Sequence, residues 1–514
     1  MLNVATYLDS TTRRLPDAVA VRHRGRSYTY RQIQAMADSM AIGLMTNGIG
    51  RGSRVALCST VRPGFVAAFF GILKTGATLV GFDDAWNRHD FERLIEDCEV
   101  DAIICSADRG DSVLAETLAA AVVATGRPVP IWTLPVTPGA NTPGTGFASV
   151  SEWHAMPNSD VVAASVAPDE VATIAFTSGT TGVRKGAQIT HGNLYAMTLL
   201  TMPLAAREAC ARRLAPGKYE GIMAQFFLLL APIFMGDTIV LCDTRDPDEV
   251  LRMIATEGIT YLLEMPIFYH DLIANAAKAD TDTIRRNLKI CVTGGAAFPP
   301  AWYEEFVRLY GTPILPGYGA TETTTAVTWC LERDGYVRGK VGRPIPGVKL
   351  RILAEDGSVR PAESEGEIAV SSPGVMKGYY GMPKDTARVL QNGWYMTGDR
   401  GLIGGDGHLV VIGRLDDKIT SGYHRIDPTA VENALCAHPG VSLAAVIGIP
   451  DEVLGERAKA FIVLNPGVPA DPDALRDWLA DQMPAWMIPD LIEFRPTLPL
   501  TATGKVARAA LRGT

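Results

Sequence analysis

From residue 31 onward the apolar residues switch repeatedly between a helical period and short continuous runs, and this alternation leaves few folds open to the chain. Ile33, Met36, Ala37, Met40, Ala41 and Leu44 share one helical face within residues 31–49, and Val55-Ala56-Leu57 follows a Gly/Arg turn as a buried strand. Phe65 to Leu73 predicts a helix, Ala77 to Gly81 a strand, Phe91 to Cys98 a helix and Ala102 to Cys105 a strand. Further strands are predicted at Thr173–Phe176, Thr238–Cys242, Tyr261–Leu263 and Lys289–Val292. Strands alternating with helices in this way predict an α/β fold with largely parallel sheets. Residues 134–150, rich in Pro, Gly, Thr and Ala and without an apolar period, predict a surface loop between subdomains.

Near residue 340 the pattern changes. Short strands and Gly turns (Val348–Leu353, Gly366–Val370, His408–Ile412) predict a β-rich subdomain over 348–412. After Gly413, a helix at Val431–Cys436, strands at Val441–Ile449 and Lys459–Leu464, a helix at Asp473–Gln482 and a tail predict a small α+β domain of about 100 residues. The whole chain, 514 residues, exceeds what one hydrophobic core supports.

Charge and composition exclude several classes of function. A formal net charge of −8 with no basic patch disfavours a nucleic-acid partner, and Arg22-His23-Arg24-Gly25-Arg26 reads as a solvated turn between two strands. The cysteines (Cys58, Cys98, Cys105, Cys210, Cys242, Cys291, Cys330, Cys436) are scattered without a Cys-x-x-Cys pair and read as reduced core residues of a cytosolic protein. Met1 to Ala5 lacks the charged start of a secretion signal, and the apolar run from Phe226 to Met235 is broken by Pro232 and falls short of the ~18 residues of a membrane span. A cytoplasmic protein with no membrane span is expected.

Chemistry concentrates in Thr177-Ser178-Gly179-Thr180-Thr181-Gly182-Val183-Arg184-Lys185-Gly186, directly after the apolar strand Ile174-Ala175-Phe176. Small residues following a strand let backbone N–H groups and hydroxyls approach phosphate oxygens, and Lys185 adds a positive charge. The order differs from the Walker pattern, in which Lys follows Gly and precedes Ser or Thr, so a P-loop kinase or GTPase is disfavoured. Downstream stand Gly294-Gly295-Ala296, Tyr318-Gly319-Ala320-Thr321-Glu322, Thr397-Gly398-Asp399, Gly413-Arg414-Leu415-Asp416-Asp417-Lys418 and Thr503-Gly504-Lys505. Taken in this order and spacing, the chain resembles the adenylate-forming superfamily of acyl-CoA synthetases, aryl-CoA ligases, luciferases and peptide-synthetase adenylation domains.

That resemblance implies a large N-terminal adenylation domain (residues 1–414) hinged to a small mobile C-terminal domain (residues 415–514). It implies an acid–thiol ligase that converts a carboxylic acid and MgATP into an acyl-adenylate and pyrophosphate, then passes the acyl group to coenzyme A. Residue by residue, Thr177, Ser178, Gly179, Thr180, Thr181, Gly182 and Lys185 resemble the loop that holds the triphosphate. Thr321 and Glu322 match the α-phosphate and Mg²⁺ position, with Tyr318 and Gly319 beside the nucleotide. Asp399 matches the carboxylate that accepts from both ribose hydroxyls, Arg414 its basic partner, and Gly295 and Ala296 the lining of the adenine and acyl sites. Lys505 matches the lysine that bridges substrate carboxylate and α-phosphate, Asp416 the hinge, and Gly422 the loop presented to the thiol channel.

Two departures stand out. Arg184 replaces the proline that usually precedes the loop lysine, adding a charge and loosening the turn. Gly221 falls where many relatives carry an acyl-pocket histidine, and Phe226-Phe227-Leu228-Leu229-Leu230 reads as core more than as pocket wall. With no acidic anchor for an α-amino group in evidence, a fatty, branched or aryl acid is expected, acted on by a monomer or homodimer. Two other readings stay open: an acyl-AMP ligase that loads the phosphopantetheine arm of a carrier protein, and a non-catalytic nucleotide-binding protein that kept the fold.

Overall fold

A computed structural model describes residues 2–60, 62–106, 112–135, 148–150, 153, 161–177, 184–205, 211–217, 221–295, 298–332, 339–415, 419–421, 424–501 and 505–511. Two large sheets, each with a parallel centre, form the body of the chain. One runs in the order 378–379, 186–190, 171–176, 78–81, 54–58, 102–106, 131–134 and 148–149, with the first two strands antiparallel to their neighbours. The other runs 343–344, 326–329, 314–319, 290–293, 261–264, 212–216, 238–242, 19–23 and 26–29, parallel from 314–319 to 19–23.

Local chemistry starts the helices that cover these sheets. Thr29 and Gln32 form a reciprocal capping box for the helix Tyr30–Thr46, and Asp246 caps Pro247–Thr256, where proline at the first position costs no hydrogen bond. Helix Tyr30–Thr46 packs on Pro63–Lys74 through Gly71, where a Cβ would lie 2.6 Å from Met40 Cβ. The shared core lies between the sheets and includes all of Phe226 to Leu230, a π-helical turn that is buried throughout, as the apolar run predicted.

Residues 349–414 form an antiparallel sheet of strands 349–353, 366–371, 394–403, 390–391 and 409–414. Beyond it, strands 424–426, 419–421, 455–464, 441–451 and 491–494 make a last sheet, with helices Pro428–Cys436 and Pro472–Ala480 over a core built wholly from residues after 418. Among the described residues no helix is long and apolar enough to cross a membrane.

The elements expected from periodicity all form, and the structure adds others that the periodicity does not show. Gly186–Thr190 returns antiparallel beside Val171–Phe176. Arg212–Pro216 occupies the middle of the second sheet because the buried Arg213 is matched by Asp237 at 2.6 Å and by the Tyr261 ring at 4.2 Å. The tail is no plain extension: Leu491–Phe494 pairs with 459–462, and Arg508–Leu511 folds back as a short helix. The basic cluster at 22–26 is the expected turn, with Arg24 and Gly25 at φ +48° and +75°. No disulfide joins the described cysteines, and burial pushes Cys98 and Cys436 up to about 12, which leaves them unreactive.

Candidate active site

The described motif residues meet in a crevice beyond the carboxyl ends of the parallel strands, where open α/β sheets bind ligands. Thr177 N donates to Lys185 O at 3.0 Å and closes the stem of the glycine-rich loop, just past the Phe176–Gly186 pairing. Ser178, Gly179, Thr180, Thr181 and Gly182 lie outside the described residues. Lys185 Nζ donates to Asp385 Oδ1 at 2.6 Å and sits 5.2 Å from the Tyr379 ring. Arg184 does not hang loose in the turn: its guanidinium stacks 4.9 Å from the Trp86 ring and donates to Asp90 Oδ2 at 3.2 Å, which ties the loop to helix Arg88–Asp97.

Asp399 and Arg414 face each other across the antiparallel pair 394–403 and 409–414, with Arg414 Nη1 on Asp399 Oδ1 at 2.9 Å. Tyr318 Oη donates to the other carboxylate oxygen at 2.5 Å, and Asp399 N donates to Thr397 Oγ1 at 3.0 Å. Gly398 has φ +69°, and a Cβ there would lie 3.1 Å from Arg414 Nη2, so the turn requires glycine. Burial and then Asp399 lift the Tyr318 phenol far above its ordinary range, which keeps it a donor. Desolvation works against charge on Arg414, but Asp399, together with Tyr395 and Tyr318, outweighs it and holds the guanidinium protonated.

Glu322 is 9 % exposed and sits in the 3₁₀ turn Thr321–Thr323. Thr324, at φ +67°, is strained and is held by its hydroxyl on Gly374 O at 2.6 Å. Met376 N donates to Glu322 O at 2.8 Å, and Tyr379 Oη donates to Glu322 Oε1 at 2.6 Å. Tyr379 therefore links the Glu322 carboxylate to Lys185. Among the described residues no three His, Cys, Asp or Glu side chains gather into a metal cage. A single buried carboxylate suits Mg²⁺, which keeps its waters and binds through one or two carboxylates and substrate phosphates.

Gly295, at φ +79°, opens the next strand's end; a Cβ there would lie 2.9 Å from Met265 Cε and 3.6 Å from Lys505 Cε. Ala296, Asp416 and Gly422 lie outside the described residues. Lys505 thus reaches the crevice from the chain's far end. Its residue surface as a whole is exposed to water, yet desolvation of the ammonium end lowers its pKa, with Asp399 and Glu322 pulling the other way and Arg414 and Arg508 adding to the fall. The tail is built to hold it: Thr501 N donates to Lys505 O at 2.7 Å, Leu511 is buried, and Arg508 Nη2 reaches both Glu432 oxygens at 2.9 and 2.7 Å.

No sequence motif marked Tyr379, Asp385 or Glu264. Glu264 ends strand Tyr261–Glu264 opposite Thr293 and accepts from Met265 N at 3.2 Å and Arg245 Nη2 at 3.2 Å. Burial lifts its carboxyl from 4.5 to about 7, against the pull of Arg245. The folded state then keeps a proton that the unfolded chain has released, so stability falls as pH rises from about 4.5 to about 7. Glu264→Gln is expected to remove this fall and to gain on the wild type between pH 5 and pH 8 by a few kcal/mol at most, at about 1.4 kcal/mol per pKa unit, as read from urea unfolding at each pH. Gly221, the position assigned to the absent histidine, caps helix Ile222–Ala224, and a Cβ there would meet none of the described residues within 4 Å. His191 is no base: it is buried, accepts from Val4 N at 3.3 Å, and burial lowers its ring to about 4.

Residues 8–380 match the AMP-binding enzyme family and residues 430–505 its C-terminal domain, and the chain belongs to that family. It is an ATP-dependent acid–thiol ligase of the AMP-forming acyl-CoA synthetase class. It is 32% identical to a feruloyl-CoA synthase of an Amycolatopsis species over 97% of this chain and 96% of that one. It is 31% identical to the putative acyl–CoA ligase YdaB of Bacillus subtilis over 96% and 95%. The fold matches an anthranilate CoA ligase, AuaEII, bound to anthranoyl-AMP, with a TM-score of 0.90, 26% identity and coverage of 99% and 96%. Against MatB of Rhodopseudomonas palustris the TM-score is 0.89 for the ATP-bound form (26% identity, 100% and 99% covered) and 0.79 for the apo form (25%, 100% and 99%).

Proposed function

We propose that this ligase activates an apolar carboxylic acid, in the first place an aryl acid, as its acyl-adenylate and transfers the acyl group to coenzyme A. The observation that carries the reading is the meeting of Lys505 with Gly295 in the field of Asp399 and Glu322. Two anions, the acid and the α-phosphate, must be brought together before one attacks the other, and a partly desolvated ammonium between nucleotide and acyl sites offsets their repulsion. Aryl substrates are favoured by the names of two similar proteins, a feruloyl-CoA synthase and an anthranilate CoA ligase. Glu264 already accepts from Arg245 Nη2 and Met265 N, so it is not free to anchor an α-amino group.

In this reading Asp399 accepts from the ribose hydroxyls, with Arg414 and Tyr318 holding it in place. Thr177 to Lys185 contact the phosphates; Lys185 exchanges Asp385 for phosphate oxygens. Thr321 and Glu322 face the α-phosphate, and Glu322 would hold Mg²⁺, which would supply neutralisation of phosphate charge. Gly295 and Ala296 line the adenine and acyl sites, beside Gly319. The larger domain ends at residue 414, Asp416 is the hinge, and a swing of residues 415–514 withdraws Lys505 and turns Gly422 towards the thiol. The higher similarity to ATP-bound than to apo MatB supports an orientation set for adenylation here.

The test is pyrophosphate release by the purified protein with MgATP and a panel of aryl, branched and fatty acids, with and without coenzyme A. Turnover with aryl acids that accelerates with coenzyme A is expected. One equivalent released without acceleration by coenzyme A points to a carrier protein instead, and no release with any acid, given demonstrable ATP binding, sinks the catalytic reading.

A further inference from the structure

We propose that the ion pair between Arg400 and Asp427 is a positioning latch that holds the C-terminal domain in the orientation where Lys505 faces the crevice. The inference rests on the two-orientation reading above. Arg400 directly follows Asp399 in strand Trp394–Ile403; Asp427 lies beyond residues 416–418 and caps helix Pro428–Cys436 by accepting from Thr429 N at 3.0 Å. Arg400 Nη2 donates to Asp427 Oδ2, and the two side chains are only 17% and 15% exposed. Arg400 Nη1 is also 3.5 Å from Glu365 Oε2, so the guanidinium is set on its own sheet before it crosses to the other domain. Water screens such a pair far less than an exposed one, and removing either charge leaves the other desolvated.

The surroundings form a closed mechanical path. Strand Leu409–Arg414 abuts the helix that Asp427 caps, because a Cβ on Gly413 would lie 3.1 Å from Thr429 Oγ1. One turn along that helix, Glu432 takes Arg508 in a bidentate pair, three residues from Lys505. The path therefore runs from Asp399 through Arg400, Asp427, the helix, Glu432 and Arg508 to Lys505, and returns to Asp399 across the crevice. A turn about residues 416–418 that withdraws Lys505 carries Asp427 away from Arg400. A second side-chain bridge among the described residues, Ser442 Oγ to His270 Nε2 at 3.1 Å, pairs a hydroxyl with an imidazole and offers less resistance to that turn.

Asp427→Asn keeps an equally good helix cap and removes only the charge; Arg400→Gln removes the other partner. Both full-length variants are expected to release pyrophosphate in the adenylation half-reaction about tenfold more slowly, which corresponds to about 1.4 kcal/mol of barrier. The double variant should lose no more than either single one, the mark of two residues acting as one contact. Thioester formation from preformed acyl-adenylate should be unchanged or faster, a split that general destabilisation does not produce. Equal loss in both half-reactions, additive losses, or unimpaired adenylation overturns the latch. Lys505→Ala is measured alongside: if it loses adenylation while both latch variants keep it, only the latch falls, whereas undiminished adenylation by Lys505→Ala overturns the underlying reading together with the latch.

Discussion

Lys505→Ala is expected to lose about 10³-fold in adenylation turnover while converting a preformed acyl-adenylate and coenzyme A into thioester at the wild-type rate. The residue comes from the tail and reaches the crevice with its side chain, whose Cε lies 3.6 Å from the Cβ position of Gly295. Truncation therefore leaves the Asp399, Tyr318 and Arg414 cluster and the Glu322–Tyr379 bond untouched. Arg508 and Leu511 still dock the tail, so the loss is of one charge rather than of the domain's fold. The lowered pKa of Lys505 adds a pH signature: desolvation makes the ammonium easier to deprotonate, so adenylation should fall at alkaline pH earlier than an ordinary lysine would allow. Pyrophosphate release and thioester formation, followed separately across pH, check both statements. Equal loss of the two half-reactions removes Lys505 from the special role given to it.

Glu322→Gln is expected to cost about 10²- to 10³-fold in adenylation and to raise the Mg²⁺ concentration needed for half-maximal rate. The substitution is nearly isosteric, and the Gln oxygen still accepts from Tyr379 Oη, which now donates at 2.6 Å. The backbone bond from Met376 N to Glu322 O is unaffected, so the turn and the strained Thr324 stay in place. What disappears is one negative charge at a site 9 % exposed, where water compensates poorly. Titration of adenylation rate against Mg²⁺ reads the effect directly; a variant with wild-type rate and wild-type Mg²⁺ dependence contradicts the placement of the ion at Glu322.

Much of the site could be read along the chain because its parts are short, local motifs. Thr397-Gly398-Asp399 is legible since a positive-φ glycine before a carboxylate is a local requirement, and Tyr318 to Glu322 forms one strand end and one turn. Asp385 was not legible, as it meets Lys185 across 200 residues, and Tyr379 meets Glu322 across 57. Neither pair has a spacing to recognise. Arg212–Pro216 escaped for another reason: two arginines break the apolar run, and only Asp237 and Tyr261, brought in by the sheet, make burial of Arg213 tolerable. Arg184 looked like a loosened turn because the partners that fasten it, Trp86 and Asp90, are almost a hundred residues earlier.

The amino-acid sequence by itself determined the α/β alternation, the β-rich segment, the small final unit, the order of the chemical motifs and the family they belong to. Those properties follow from periodicity and from backbone demands that each segment meets alone. The tertiary structure decided which charges face one another: Lys185 with Asp385, Asp399 with Tyr318 and Arg414, Arg400 with Asp427, and Lys505 within reach of Gly295. A charge's partner depends on how sheets stack and where a tail returns, and the Coulomb energy that selects it depends on distance and burial, neither of which is encoded in separation along the chain.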